Sequence, residues 1–236
     1  MAIETTRMGM VSNVLGHLSK AEGEAAVTVH DESPGISKQS FLLAICRGLG
    51  GNLSEDDRAA LTREAFKWSN ENIPDPSQPL HCQVVESLIV GYQVSAGTEI
   101  SLEDVKRAAV LPPLVPTATV LRNMDLFSTW LAQEQPFLVS GPEGAGKNLL
   151  IRHAIHRLQN ESDAALNVAV LNCNAQTSSK DVLQKLRQFC AISTGTTGRI
   201  YRPREGRRLV LYLKDINLPT PDKYDTSEII MFLQQA

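Results

Sequence analysis

GPEGAGKN, residues 141–148 of a 236-residue chain, has the spacing G-x-x-x-x-G-K. It follows a short apolar run, PFLVSG (136–141), and opens a helical pattern through Leu149, Leu150, Ile151, Ala154, Ile155 and Leu158. A strand, a glycine turn and a helix in that order form a cradle for phosphate. Gly141, Gly144 and Gly146 permit backbone shapes that aim successive N–H groups inward, and the helix start adds its positive dipole end. Lys147 would reach the outer phosphates. Pro142, Glu143, Ala145 and Asn148 complete the nucleotide-contacting loop. The competing reading, a chance glycine turn ahead of a helix, is weakened by the strand and helix on either side.

One letter departs from the usual pattern. Asn148 stands where Ser or Thr normally offers a hydroxyl to Mg²⁺. An amide oxygen sits one bond farther out, and a small, near-octahedral ion tolerates misplacement poorly. A second departure lies downstream. ATP-hydrolysing loops of this kind draw acids from the tip of a later strand, and the candidate strand is LVLYL (209–213), followed by Lys214 and Asp215. A cation at the metal-organising place, about 4 Å from Mg²⁺, would repel it by several kcal/mol at an effective dielectric near 20. Asp215 occupies the position of the catalytic acid, with the shorter carboxylate side chain. A turn-capping role competes on even terms for it. The residues therefore predict nucleotide binding with weak or absent turnover.

Working outward, NVAVLNCN (167–174) reads as a second strand and RRLVLYLKD (207–215) as a third, separated by a helix in SSKDVLQKLRQFC and followed by another in TSEIIMFLQQ. Apolar strands alternating with amphipathic helices predict an α/β parallel sheet with helical crossovers. The preceding part reads differently. Helices are expected over 1–20, in SKQSFLLAICRGL behind Ser37, in SEDDRAALTREAFKWSNEN behind Ser54, and in SLEDVKRA behind Ser101. AEGEAAVTVHDESPG is a connector, and the Gly48–Gly51 region a helix stop. HCQVVESLIVGYQV fits either strand or helix. The first hundred residues thus predict a mostly helical unit without a sheet.

Composition sets outer limits. The chain is 42% hydrophobic and 21% charged, the profile of a globular protein. No uncharged apolar run is long enough to span a bilayer, and MAIETTRMGM lacks the order of a signal peptide. Net charge is −3, and neither half is basic enough to suggest nucleic acid as a partner. Residues 1–113 are acidic on balance and 114–236 basic, with the change at the proline-rich seam LPPLVP. Cys46, Cys82, Cys173 and Cys190 fit neither a metal-finger nor a C-x-x-C spacing, and read as reduced, buried thiols.

GPEGAGK, LNCNAQTSSKDVLQKL, GRIYRP, and above all LVLYLKDINLP followed by DKYDTSEIIMFLQQ resemble a dynein heavy chain at the third AAA+ module of its motor ring. CRGLGGNLSEDDR with EAFKW is similar to the helical subdomain closing the second module, and LPPLVPTATVLRNMDLFSTWL to the connector and the loop leading into the third. Lys-Asp in YLKDIN, in place of Asp-Glu, is most like the cytoplasmic dynein 2 branch, the intraflagellar transport motors. The resemblance covers nearly the whole chain.

The resemblance implies an AAA+ α/β/α fold, incomplete at its C-terminus. Residues 1–95 would be the helical lid of the preceding module, 96–120 the connector and adenine-side loop, and 121–236 the N-terminal part of the large subdomain. Leu114, Val115 and Thr117 would line the adenine pocket. The cofactor would be ATP or ADP, with Mg²⁺ left open by Asn148 and Lys214. Partners would be neighbouring AAA+ modules of the same chain, with microtubules and accessory chains reached through the parent. The setting would be cytoplasm, cytoskeleton and cilium or flagellum. In dyneins the third module is regulatory, and the main hydrolysis site lies in another. Too few residues follow Lys147 to finish an AAA+ sheet, so the chain is expected to be part of a larger polypeptide or an incomplete gene model. An alternative reading is a nucleotide-free AAA+-like structural or interaction module, which Asn148 and Lys214 favour and Lys147 and the loop glycines oppose.

Smaller signals have plain readings. His153 and His156 lie three apart on a helix, without the further ligands a metal set requires. Arg199, Arg202, Arg204, Arg207 and Arg208 fit a solvated hairpin better than a docking patch. Trp68 and Trp130 are read as core aromatics. Arg58 reads as a helix-surface ion pair ahead of a sensor for the preceding module's nucleotide.

Overall fold

The computed structural model describes residues 7–28, 36–94, 102–107, 111–161, 166–195 and 198–235. The chain forms two compact units, residues 1–158 and 159–236. No helix among the described residues is long and apolar enough to cross a membrane.

The first unit holds helices α1 (Arg7–Thr28), α2 (Lys38–Gly50), α3 (Glu55–Ser69), α4 (Leu102–Arg107), α5 (Ala118–Ala132) and most of α6 (Lys147–Glu161). The α2 and α3 helices begin where hydroxyl caps predict. Ser37 Oγ accepts the Ser40 N–H at 3.1 Å, and Ser54 Oγ accepts that of Asp57 at 3.2 Å. Glu55, Asp56 and Asp57 follow in the first turn of α3, where the helix dipole favours anions. The glycine run does not stop α2 at its first member. Gly48 lies inside the helix, where an added Cβ would come within 2.6 Å of the Val14 backbone nitrogen on α1. Only glycine lets the two backbones approach so closely. Helix α1 also runs on to Thr28, through part of the stretch expected to be a connector. Ser101 lies outside the described residues, but the helix expected after it is α4.

The expectation of a first unit without a sheet is corrected. HCQVVESLIVGYQV is a β-hairpin of β1 (Cys82–Val85) and β2 (Leu88–Gly91), with Val85 opposite Leu88. Its two-residue turn, Glu86–Ser87, takes φ of 49° and 63°, the doubly left-handed form that hairpins favour. Neither residue is the Asn or Gly that usually announces such a turn, which is why the pattern is ambiguous in sequence. The hairpin packs on a core of Leu42, Leu43, Cys46, Phe66 and Cys82. Trp68 is not core as expected: it is 84% exposed. Thr62 and Phe66 mark the buried face of α3, and a residue two further on points to its far side. Trp130 does pack, edge-on to His17 at 4.8 Å.

In the second unit β3 (Leu166–Asn172) and β6 (Arg208–Lys214) pair in parallel, Leu166 opposite Arg208 and Asn172 opposite Lys214. Between them come α7 (Ser179–Phe189) and an antiparallel hairpin, β4 (Cys190–Gly195) and β5 (Gly198–Pro203), and α8 (Glu228–Gln235) follows. Cys173, Val182 and Ile229 form the core, with Leu171, Leu186, Leu211 and Phe232 around them. The arginine cluster is the expected solvated hairpin and its exit. Arg199 and Arg202 are exposed on β5, and Arg207 pairs with Glu205 at 2.7 Å.

Two carboxylates tie the helix starts of this unit. Asp181 accepts from the Ser178 N–H at 2.8 Å and hydroxyl at 2.9 Å, and Glu228 accepts from the Ser179 hydroxyl and N–H. These donors hold both carboxyls below their ordinary values of 3.8 and 4.5. A carboxylate whose pKa is depressed by folding adds stability above its unfolded pKa and loses it as pH falls through the folded one. Urea unfolding followed by circular dichroism should therefore show stability dropping as pH passes below 4.5, the ordinary Glu228 value. Glu228→Gln should flatten that slope. An unchanged slope in both Glu228→Gln and Asp181→Asn would remove these contacts as its source.

Candidate functional site

The glycine loop takes the backbone shapes its sequence requires. Gly144 and Gly146 have φ of 74° and 77°, and a Cβ built on either meets no atom within 4 Å. These are left-handed positions around open space, the geometry of a concave cradle. The first helical bond of α6 is Leu150 N to Gly146 O at 3.0 Å, so the amides of residues 147–149 precede the hydrogen-bonded ladder. Lys147 reaches back across the loop, its Nζ donating to Gly141 O at 2.7 Å and Pro142 O at 2.6 Å. The lysine therefore sits over the loop rather than out in solvent. Residues 141–146 and Asn148 are exposed, and Leu150, Ile151, Ala154 and Ile155 anchor the helix behind them.

The strand expected ahead of the loop is corrected. Residues 135–142 lie in no helix or strand, and among the described residues the first unit has one ladder, β1–β2. A strand exists only by the ladder it joins, and this run finds no ladder partner within its unit. PFLVSG is held instead by Phe137, stacked on Phe127 of α5 at 5.6 Å, while Leu138 stays 66% exposed.

The lead-in loop is brought to the same helix. His153 Nε2 bonds the Pro112 carbonyl at 2.8 Å, tethering residues 111–117 to the second turn of α6. Sequence reading missed this role. The His153–His156 spacing drew attention to metals, and nothing local marks a partner 41 residues away. Among the described residues no group of three or more His, Cys, Asp or Glu could hold a metal ion. Thr117 caps α5, its Oγ1 accepting the Val120 N–H at 3.3 Å, and its own N–H donates to Val115 O at 2.9 Å. Val115 is 59% exposed and Leu114 partly buried.

In the second unit β6 ends at Lys214, whose carbonyl accepts the Cys173 N–H at 2.9 Å. Lys214 Nζ lies 5.8 Å from the Tyr212 ring centre. Asp215 is exposed, has φ of 55°, and its carbonyl accepts the Leu218 N–H at 3.0 Å. It thus occupies a turn immediately after the strand. Asp215 also helps burial to raise the Cys173 thiol, burial being the larger cause.

Arg58 is not the expected surface ion pair. Its Nε donates to Gly50 O at 2.8 Å, and its Nη2 to Gly51 O at 3.2 Å and Leu53 O at 3.0 Å. It closes the carbonyl end of α2, a place where a cation is favoured.

Comparison with known proteins agrees with the resemblance. Residues 105–236 match the family described as the P-loop containing dynein motor region, and residues 1–69 the AAA+ ATPase domain of cytoplasmic dynein 2 heavy chain 1. Cytoplasmic dynein 2 heavy chain 1 of mouse is 37% identical over 99% of this chain, that of human 38% over 99%, and that of Chlamydomonas reinhardtii 37% over 99%. The chain spans about 5% of the length of these relatives. With the first 69 residues and the last 132 matched to dynein models, and the AAA+ α/β grammar present in the fold, the chain belongs to the dynein heavy chain family.

Proposed function

We propose that the chain is a regulatory nucleotide-binding segment of a minus-end-directed microtubule motor used in ciliary (intraflagellar) transport. Residues 1–95 serve as the lid of the preceding AAA+ module, 96–120 as connector and adenine-side loop, and 121–236 as the first part of the next large subdomain. Neighbouring modules of the same heavy chain are its direct partners, and microtubules and accessory chains are partners of the parent. The working place is the cytoskeleton of cytoplasm and cilium.

The observation that carries the reading is the loop itself. Left-handed Gly144 and Gly146 leave open space, and Lys147 lies across them. Gly141 to Asn148 would hold the phosphates of ATP or ADP, with Leu114, Val115 and Thr117 on the base side. The bound nucleotide supplies the charge and bulk that distinguish one state of the module from another. Lys147 would exchange its two carbonyl acceptors for phosphate oxygens, trading neutral acceptors for charged ones. Asn148 and Lys214 supply neither a hydroxyl nor an acid for Mg²⁺, so turnover is weak or absent. Asp215 is left as the residual acid.

Titration of fluorescent ADP and ATP, with and without Mg²⁺, tests this. Saturable binding should appear at micromolar nucleotide, and Mg²⁺ should change affinity by less than about tenfold, because neither Asn148 nor Lys214 is a strong metal ligand. Rapid ATP hydrolysis would overturn the assignment of Lys214. Absence of binding would favour a nucleotide-free structural module instead, a reading to which the unpaired PFLVSG run lends support.

A further inference from the structure

Away from the glycine loop, α2, α3, the lead-in to β1 and α5 line a partly open cavity of about 110 Å³. Its wall is apolar at Leu43, Leu80 and Leu126, yet it also carries three guanidinium residues, Arg47, Arg58 and Arg122. Two of the three are matched. Arg47 Nη2 pairs with Asp125 at 2.9 Å and donates to the Tyr92 hydroxyl at 3.0 Å and Cys82 O at 3.2 Å. Arg58 spends its donors on the three carbonyls ending α2. Arg122 is different: its Nε is shielded from solvent and has no hydrogen-bond partner, and its Nη2 reaches only the Asn123 amide oxygen at 3.4 Å. No carboxylate forms an ion pair with it among the described residues, although Glu55 is near enough to be felt.

A shielded cation without a counterion is a costly arrangement, because burial removes hydration and nothing local replaces it. The surroundings sharpen the cost. Burial first and Arg58 second push the Arg122 guanidinium down from its ordinary value. Burial, then Arg122, does the same to His81. Three cations stand against the paired Asp125 and the more distant Glu55, so the cavity keeps one positive charge to spare.

We propose that this cavity is a binding site for a tetrahedral oxyanion of phosphate type, held on Arg122 with Arg47 and Arg58 supplying the surrounding field. A planar guanidinium offers paired N–H groups that match two oxygens of such an ion. The space suits it as well, since about 10–15 Å³ of such volume holds one water and the cavity offers about 110 Å³. Free phosphate and the terminal phosphate of a nucleotide share this chemistry. Once bound, it ties α5 to the α2–α3 pair and to the hairpin. This site does not rest on the nucleotide reading of residues 141–148.

Inorganic phosphate titrated into the full 236-residue chain at fixed ionic strength, with the Arg122 Nε–H followed by NMR, tests the assignment. The resonance should shift saturably with phosphate and not with chloride. Calorimetry should find this binding retained in Lys147→Ala and weakened at least about tenfold in Arg122→Met, the loss of a charge-assisted bond. ADP affinity at the glycine loop should be unchanged in Arg122→Met. ADP titrated in the Lys147→Ala background separates the two sources, since a shift with phosphate alone identifies the free ion. An Arg122 Nε–H that stays fixed throughout, or phosphate binding lost in Lys147→Ala and untouched in Arg122→Met, would overturn the site.

Discussion

Lys147→Ala should lower ADP affinity on the order of 100-fold, the loss expected when two charge-assisted hydrogen bonds to phosphate disappear. The same change should leave the fold nearly untouched. Lys147 is the half-exposed first residue of α6, and the bonds it surrenders are to carbonyls of the adjoining exposed loop, Gly141 O and Pro142 O. Unfolding free energy should therefore move by no more than about 1 kcal/mol. Fluorescent ADP titration beside a urea melt separates the two effects. Equal ADP affinity in wild type and Lys147→Ala would show that the loop glycines serve only a turn, and would end the nucleotide reading while leaving family membership intact.

Phe66→Ala has the opposite signature. Phe66 is 1% exposed in a core with Leu42, Leu43, Cys46 and Cys82. Truncating it removes a large buried ring and leaves a cavity, at a cost of about 3–5 kcal/mol. A domain stable by about 5–15 kcal/mol would be left marginal or unfolded. Trp68→Ala, two residues along the same helix, removes a larger ring that is 84% exposed and should cost within about 0.5 kcal/mol. Chemical denaturation monitored by circular dichroism measures both. Similar losses at the two positions would contradict the assigned face of α3.

What could be read from the sequence was local chemistry. The Ser37 and Ser54 caps, the left-handed glycines of the loop, the β3 and β6 strands and the α7 and α8 helices each announce themselves within a few residues. The failures share a cause, which is dependence on partners far away in sequence. PFLVSG has the composition of a strand, but a strand needs a ladder, and composition does not name one. Glu86 and Ser87 adopt a turn that their residue types do not advertise. The α3 helix pattern alone did not say which of Phe66 and Trp68 would be covered. At the candidate site the turns at Gly144 and Gly146 were legible. The tether from His153 to Pro112 was not, since it joins positions that no periodicity connects.

The turn at Asp215 bears on how such a site could change over generations. Its φ of 55° lies in a region that Asp and Asn enter more readily than longer side chains do. Replacing Asp215 by Glu, the acid of a hydrolysing site, would therefore meet backbone resistance of about 1 kcal/mol or more. Lys214 beside it would also have to become an acid before the longer carboxylate had a metal to serve. A lineage that had arrived at Lys-Asp would face two steps back, the first without benefit on its own. Under the proposed reading, low turnover at this position would then be self-preserving, and descendants would inherit a module that holds nucleotide without spending it.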